Sequence, residues 1–197
     1  MFFEKIIERN NDKTIVKLCN KLNKSCSFTK STDMTALCEL AYRLFIFGHE
    51  EDALLVCEYS NIDIPQKINY NCWDFILFIW GLEAFIYNKN DRKKDKEYRV
   101  KEMKKVWSVP KTGGETAEES WNFHKKTAAR QKYDDLCCKK KIEQAIEEND
   151  KKSETIYRIT ALYKMIGYGI TGYYPAFEDN KDKLSQDIDD YINQIVF

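Results

Sequence analysis

The sequence predicts an all-α protein: a single-domain helical bundle or array of about seven helices, built from antiparallel helix hairpins. Apolar residues recur at intervals of three and four along most of the chain, which is the period of a helix face, and no stretch alternates convincingly as a half-buried strand would. Only 7 glycines and 3 prolines interrupt the 197 residues. Hydrophobic residues make up 43% of the chain, which is ample for one core over residues 1–197, with the linker 108–116 as the place where it could divide.

The amino-terminal elements follow from the apolar positions. After a short opening turn, a helix is predicted over 13–24, and its inner face comprises Ile15, Leu18, Cys19 and Leu22. The turn formers of SFTKSTD lead into a helix along MTALCELAYRLFIFG, where Gly48 stands at the position of a helix C-cap. A further helix is expected from Glu50 to about Tyr59, since its three opening acids suit the positive end of the helix dipole.

Two helices of contrasting character come next. The segment from Tyr70 to about Tyr87 is apolar on nearly every side, so this helix is predicted at the centre of the fold. The helix from Arg92 to Trp107 is basic, because the stretch 89–111 contains ten basic and four acidic residues. The acids interspersed in 92–105 favour an ion-paired helix surface over one that binds RNA or a membrane.

Three further helices are predicted in the carboxyl-terminal half. Thr116 and Glu119 have the spacing of a capping box and open a helix that could run to Glu148, with a kink or break near the lysines 139–141. The next helix begins at Ser153 and places Ile156, Ile159, Tyr163 and Ile166 on one face. The last helix covers about 181–196, and its inward positions are Leu184, Ile188, Tyr191, Ile192 and Ile195.

Residues 167–172, GYGITG, match the glycine spacing of dinucleotide-binding folds. That chemistry needs a strand before the first glycine and a helix after the last. Here a helical pattern precedes Gly167, and Pro175 follows closely after Gly172, where it disfavours a helix. We therefore expect the helix to end at Gly167 and the chain to turn at the later glycines, and we predict no cofactor.

Metal-binding and catalytic patterns are weak. No cysteine pair has C-x-x-C spacing, and no second histidine follows His49 by four residues. Glu119 and His124 are five residues apart, whereas helices that hold a di-iron centre need a spacing of three. No catalytic, cofactor-binding or metal-binding residue is therefore assigned. A cysteine nucleophile paired with His49 or His124 stays open, because such a pair forms in space.

The charge balance and the apolar pattern limit the partner classes. Lys+Arg and Asp+Glu both number 32, so the chain as a whole has no electrostatic attraction for nucleic acid. The longest apolar run, 72–87, contains two acids and is shorter than the ~20 residues of a membrane-spanning helix. The amino terminus lacks the apolar segment of a secretory signal, and most of the 7 cysteines lie in apolar helical patterns, as reduced thiols do. We expect a cytoplasmic protein with no membrane, nucleic-acid or small-molecule partner.

An acidic, tyrosine-rich region near the carboxyl terminus is the predicted partner-binding surface. The stretch FEDNKDKLSQDIDDY has six acids and two lysines, and aromatic residues rimmed by acids suit a basic partner. The residues assigned to this surface are Tyr173, Tyr174, Glu178, Asp179, Asp182, Asp187, Asp189 and Asp190. A rival surface is the acidic start of the helix at Glu50, Glu51 and Asp52.

The helix pair within residues 37–65 resembles one tetratricopeptide unit. Most of the steps that such a unit requires carry small or apolar residues, although Cys57 and Ser60 match it poorly. The positions are Leu37, Leu40, Ala41, Leu44, Gly48, Ala53, Cys57, Ser60 and Pro65. No second copy follows one period later, where large residues replace the small ones, so the resemblance supports helix-pair packing and covers a single hairpin.

In size, helix pattern, lysine-rich composition and the hairpin ALCELAYRLFIFGHEEDALL, the chain resembles the all-helical type of bacterial immunity protein that acts in contact-dependent growth inhibition. The resemblance implies a non-catalytic, stoichiometric inhibitor that covers the active site or substrate groove of a cognate toxin, such as a nuclease. Toxins of that kind are basic where they bind phosphate backbones, so an acidic surface would fit them.

Two other function classes stay open. A helical adaptor would bind a cellular protein or peptide through the tetratricopeptide-like hairpin. An enzyme would be a cysteine hydrolase or an RNA-binding factor that uses the basic helix 92–105. A toxin gene immediately upstream would favour the inhibitor over the adaptor, and salt-sensitive RNA binding would favour the RNA-binding factor.

Overall fold

The computed structural model describes residues 2–61, 70–107, 119, 138–170 and 181–195, and all regular structure within these ranges is helical. The predicted all-α class is confirmed. Nine helices are described where about seven were expected. In chain order they are α1 (Glu4–Arg9), α2 (Lys13–Lys24), α3 (Ser31–Ile46), α4 (Glu50–Tyr59), α5 (Tyr70–Lys89), α6 (Lys93–Trp107), α7 (Lys139–Glu147), α8 (Lys151–Ile170) and α9 (Lys181–Ile192).

Contacts between residues divide the chain into two compact units, Met1–Ala117 and Glu118–Phe197. The first unit contains α1 to α6 and the second contains α7 to α9. The predicted helix start at Thr116 lies outside the described residues. Next to the predicted kink or break at 139–141, Cys138 has a left-handed backbone with φ of 52° and α7 begins at the next residue, while residues 120–137 of the predicted helix lie outside the described residues.

Three tight turns close helix hairpins by the same hydrogen-bonding pattern. Gly48, Asp91 and Asn149 have positive φ angles of 81°, 56° and 53°, and they follow α3, α5 and α7. At the first turn the His49 N–H donates to the Leu44 carbonyl at 2.8 Å, which is the six-to-one bond of a Schellman motif. The same bond recurs at 2.8 Å after α5 and after α7. Glycine, asparagine and aspartate are the residues that tolerate this conformation best, and the predicted cap at Gly48 is confirmed.

The core of the first unit forms where α3 and α5 pack against each other. Every residue from 76 to 87 is buried, which confirms the predicted central position of α5. The Tyr42 hydroxyl on α3 donates to the Phe78 carbonyl on α5 at 3.0 Å, and the Phe45 ring meets the Phe85 ring edge to face. Helices α2 and α4 pack on α3, and α6 packs on α5.

A buried ion pair joins α5 and α6. Glu83 is 0% exposed, and its Oε2 lies 2.8 Å from Nε of Arg99, whose side chain is 8% exposed. The Nε–H is not aligned with that oxygen, so the directed hydrogen bond of the pair runs from Arg99 Nη2 to Glu83 Oε1 at 3.1 Å. The guanidinium also lies over the Trp80 ring, with Cζ 4.8 Å from the ring centroid. Arginine thus contributes both a counter-charge and an aromatic contact inside the core.

Two uncharged groups complete the surroundings of the Glu83 carboxylate. The Tyr87 hydroxyl donates to Oε1 at 2.9 Å, and the Asn61 side-chain amide donates to the same oxygen at 3.5 Å. Burial raises the pKa of Glu83 above its ordinary value, and Arg99, Tyr87 and Asn61 oppose that shift. Because the folded pKa is raised, ionisation of Glu83 costs the folded chain some stability as the pH rises from the unfolded pKa through the folded value, and the counter-charge of Arg99 limits that cost.

The second unit corrects three predictions. Helix α8 begins at Lys151, two residues before the predicted start, because Asp150 accepts hydrogen bonds from the Ser153 N–H and hydroxyl at 3.1 and 2.6 Å. Ile156 is 46% exposed, whereas Ile159 and Ile166 are buried as predicted. The helix also continues through Gly167 and Gly169 to Ile170, so the predicted helix end at Gly167 is wrong. Gly167 is buried, and packing at that site maintains the helix where glycine alone would weaken it.

Substitution of Glu83 tests the buried ion pair. Glu83→Gln is expected to lower the free energy of unfolding by about 3 kcal/mol, because the buried Arg99 guanidinium loses its counter-charge while Tyr87 keeps an acceptor. Urea denaturation followed by circular dichroism measures this difference. The double variant Glu83→Leu with Arg99→Met should recover most of the loss, since it removes both charges together. A loss below about 1 kcal/mol in the single variant would contradict the role assigned to the pair.

Candidate functional site

Helix α2 separates an apolar face from a lysine-rich face. Asp12 caps the helix by accepting hydrogen bonds from the backbone N–H groups of Thr14 and Ile15 at 2.9 and 2.8 Å. The predicted inner face is confirmed, since Ile15, Leu18, Cys19 and Leu22 are all buried. The opposite face carries the exposed residues Lys13, Lys17, Asn20, Lys21 and Lys24. No acidic residue occurs within the helix.

An open groove of about 990 Å³ runs along this lysine-rich face. One end is formed by Ile7 and the connection between α1 and α2, and the other end lies at Ser25. We call it the lysine groove, and its lining residues are Ile7, Asn10, Asn11, Lys13, Val16, Lys17, Asn20, Lys21, Lys24 and Ser25. Ile7 and Val16 are half-buried and supply apolar surface between the lysines and asparagines.

The positive charge of the groove is not balanced by its own lining. Within the described part of the chain, no carboxylate forms an ion pair with Lys13, Lys17 or Lys24. Lys21 donates to the Thr32 backbone carbonyl at 2.9 Å, which positions its ammonium group without neutralising it. The groove is therefore a preformed cationic surface with apolar and amide groups interspersed.

One end of the groove is tied to the core through Asn10. This buried side chain donates to the Ile6 carbonyl at 2.8 Å and to Oδ2 of Asp52 at 3.4 Å. Asp52 is 5% exposed and also accepts a hydrogen bond from Arg9 at 3.1 Å. These bonds connect the start of α4 to the end of α1, so they hold the shape of the groove at that end.

The rival acidic surface at the start of α4 is only partly exposed. Asp52 is buried in the contact with Arg9 and Asn10. Glu50 forms an ion pair with Lys89 of α5, and Glu51 is the exposed acid of the three. Acids are favourable at a helix amino terminus whether they face solvent or the core. The sequence pattern therefore did not indicate that Glu50 and Asp52 have partners within the fold.

Only part of the predicted carboxyl-terminal surface lies within the described residues. Asp189 and Asp190 are exposed on α9, and Asp190 accepts a hydrogen bond from Gln186 at 2.9 Å. Tyr173, Tyr174, Glu178 and Asp179 lie outside the described residues, as do the side chains of Asp182 and Asp187. Ile188, between the exposed acids and the start of α9, is buried, as the predicted inner face requires.

The basic helix α6 has the ion-paired character that its sequence predicts. Arg92, just before the helix, pairs with Asp95 at 2.7 Å, and Lys105 pairs with Glu102. Arg99 points into the core, where it meets Glu83. The α6 surface therefore balances part of its charge within itself, in contrast to α2.

Three buried cysteines, Cys19, Cys38 and Cys57, do not have the properties of nucleophiles. Burial, with a smaller contribution from Asp52, raises the pKa of the Cys19 thiol to about 11. Burial also raises the thiol pKa values of Cys38 and Cys57 well above the ordinary value, with Glu39 and Glu83 respectively adding to the shift. A protonated, buried thiol is a poor nucleophile. His124, one of the two possible bases, lies outside the described residues.

The described residues also bear on three other sequence patterns: the glycine spacing, the candidate metal ligands and the long apolar run. Gly167 and Gly169 lie inside α8, so the first two glycines of GYGITG do not form a phosphate-binding loop after a strand. Among the described side chains, no group of three or more His, Cys, Asp or Glu residues is positioned to hold a metal ion. None of the described helices is long and apolar enough to cross a membrane.

The chain belongs to the family of unknown function DUF6707, whose model matches residues 2–195. The family match thus extends over both compact units and includes the lysine groove. No curated protein and no solved structure matches the chain.

Alkylation tests the state of the buried thiols. Iodoacetamide at pH 8 is expected to modify Cys19, Cys38 and Cys57 of the native protein at least about a hundredfold more slowly than free cysteine, because all three are buried and protonated. Timed alkylation followed by mass spectrometry measures the rates, and urea-unfolded protein is the control in which all three should react. Fast modification of any of them in the native protein would reveal a reactive thiolate and favour the cysteine-hydrolase alternative.

Proposed function

We propose that this protein acts by binding another protein, and that it is a cytoplasmic, non-catalytic inhibitor of the immunity type. It would neutralise a cognate bacterial toxin by covering the active site or substrate groove of that toxin. The observation that carries the proposal is the lysine groove, a concave surface whose charges are not balanced by its lining. Protein interfaces use such unpaired surface charge to select and orient their partners.

The protonated, buried thiols add support, because they disfavour catalysis by Cys19, Cys38 and Cys57. Binding needs only a preformed surface, and the two units present more than one. Besides the lysine groove, Asp189 and Asp190 expose negative charge on α9. An acidic surface of this kind would suit a basic toxin, in keeping with the partner that the sequence favours.

The helical adaptor is the second candidate, and the hairpin of α3 and α4 favours it. Gly48 turns the chain between the two helices, and Ala53 is fully buried at a position where a tetratricopeptide unit requires a small residue, although Cys57 and Ser60 match the unit poorly. An adaptor would bind a cellular protein or peptide, whereas an inhibitor would bind a toxin. The identity of the bound partner separates the two.

Co-purification tests the proposed function. A tagged copy expressed at its native level in its own host is expected to carry a basic toxin domain in a stable one-to-one complex, identified by mass spectrometry and sized by gel filtration. The purified chain should then abolish the activity of that toxin at equal molar amounts. Recovery of the chain alone would contradict the proposal, and recovery with a cellular protein that is not a toxin would favour the adaptor.

Charge reversal tests the predicted acidic surface. Asp187, Asp189 and Asp190, each replaced by Lys, are expected to weaken toxin binding at least about tenfold, because they would place like charges against a basic partner. The matched control replaces three exposed acids of α7 and of the turn after it, Glu143, Glu147 and Glu148, by Lys and should change affinity less than about twofold. Calorimetric titration measures both, and unchanged binding by the first variant would remove α9 from the interface.

A further inference from the structure

The lysines of α2 repel one another in the isolated protein. Lys13, Lys17 and Lys21 are successive neighbours four residues apart, and Lys24 follows three residues later. Like charges at these spacings destabilise a helix by a few tenths of a kcal/mol per pair, and α2 contains no acid to offset them. A negatively charged occupant of the groove would remove this repulsion, so the groove itself favours an acidic ligand.

The dimensions of the groove suit an elongated ligand. Helix α2 has 12 residues, which corresponds to a length of about 18 Å, and successive lysines are separated by about 6 Å along its axis. Carboxylates spaced four residues apart on a second helix have the same separation. Ile7 and Val16 offer apolar contact between the charges, where the apolar face of an amphipathic helix could pack.

The lining chemistry disfavours two other anionic partners. No arginine and no aromatic residue lines the groove, although stacking on aromatic rings is the usual means of holding single-stranded nucleic acid. An anionic membrane attracts a basic amphipathic helix that can insert its apolar residues. The apolar face of α2 is buried in the fold and cannot insert.

We propose that the lysine groove binds an acidic amphipathic helix of another protein, with a row of carboxylates against the four lysines and apolar side chains over Ile7 and Val16. This inference rests on the proposed protein-binding function and names the chemistry of the segment that this groove receives. The first unit would then have a positively charged contact surface, whereas the acids on α9 of the second unit are negatively charged. A partner that uses both surfaces would need an acidic helix and a separate basic region.

A synthetic helix tests the groove directly. The probe is a fluorescein-labelled, alanine-based peptide of about 18 residues, long enough to be helical, with glutamates at four successive positions spaced by four and leucines beside them. The control peptide has the same composition with its glutamates scattered around the helix. Fluorescence anisotropy should show saturable binding of the probe that weakens with added salt, and binding of the control peptide at least about tenfold weaker.

Paired charge reversals locate the binding. Lys17→Glu with Lys24→Glu is expected to weaken probe binding at least about tenfold. The matched control, Lys94→Glu with Lys101→Glu on α6, has the same spacing and the same charge change on exposed lysines outside the groove, and it should change binding less than about twofold. Circular dichroism checks that both variants keep their helix content.

Each other outcome overturns the inference. Equal loss in both pairs of variants, equal binding of the two peptides, or tighter binding of polyuridylate RNA would show that the groove attracts polyanions without selecting a helix. If the partner recovered by co-purification binds the Lys17→Glu, Lys24→Glu variant unchanged, the groove assignment fails while the proposed protein-binding function stands. If no protein partner exists, the proposed function fails whatever the peptide does.

Discussion

The ion pair buried between α5 and α6 limits how the first unit can be assembled. Burying a carboxylate and a guanidinium is costly unless each faces the other, so a displacement of α6 by one turn along α5 would leave two charges unpaired in the core. Glu83 and Arg99 therefore specify the register of the two helices. The tight turn at Asp91 also restricts this register, because so short a connection between α5 and α6 does not allow an alternative alignment.

The charge that a helix of the first unit presents to solvent depends on which of its residues the core buries. Helix α6 turns Arg99 and Met103 inward, and its outer charges include pairs of opposite sign such as Lys105 with Glu102. Helix α2 turns only apolar residues inward, and its outer lysines have no acid of the same helix to pair with. The two basic helices thus differ. Helix α6 balances part of its charge with its own acids, and α2 presents its charge to solvent.

Periodicity was sufficient to predict most of the helices, because an apolar stripe and its end signals are local properties. The bounds of α2 and α4 and the cap at Gly48 agree with the structure for this reason. Long-range partners are invisible to such patterns. Asp52 looked like an exposed helix-start acid, yet it meets Arg9 from 43 positions earlier in the chain. Gly167 looked like a helix end, yet packing continues the helix past it.

The lysine groove had a local signal, four lysines without an acid over 13–24, but only the fold shows that they line one concave surface.

The hydrogen bonds of Asn10 hold the backbone in place at one end of the lysine groove. Because that side chain is buried and held by Ile6 and Asp52, the backbone at one end of the groove is anchored to the α3 and α4 hairpin before any ligand arrives. Association with such a surface requires little backbone rearrangement, and the main entropic cost falls on the lysine side chains that become ordered. Binding of a ligand there would be a rigid-body event, in which differences in affinity between ligands would appear chiefly as differences in how long each stays bound.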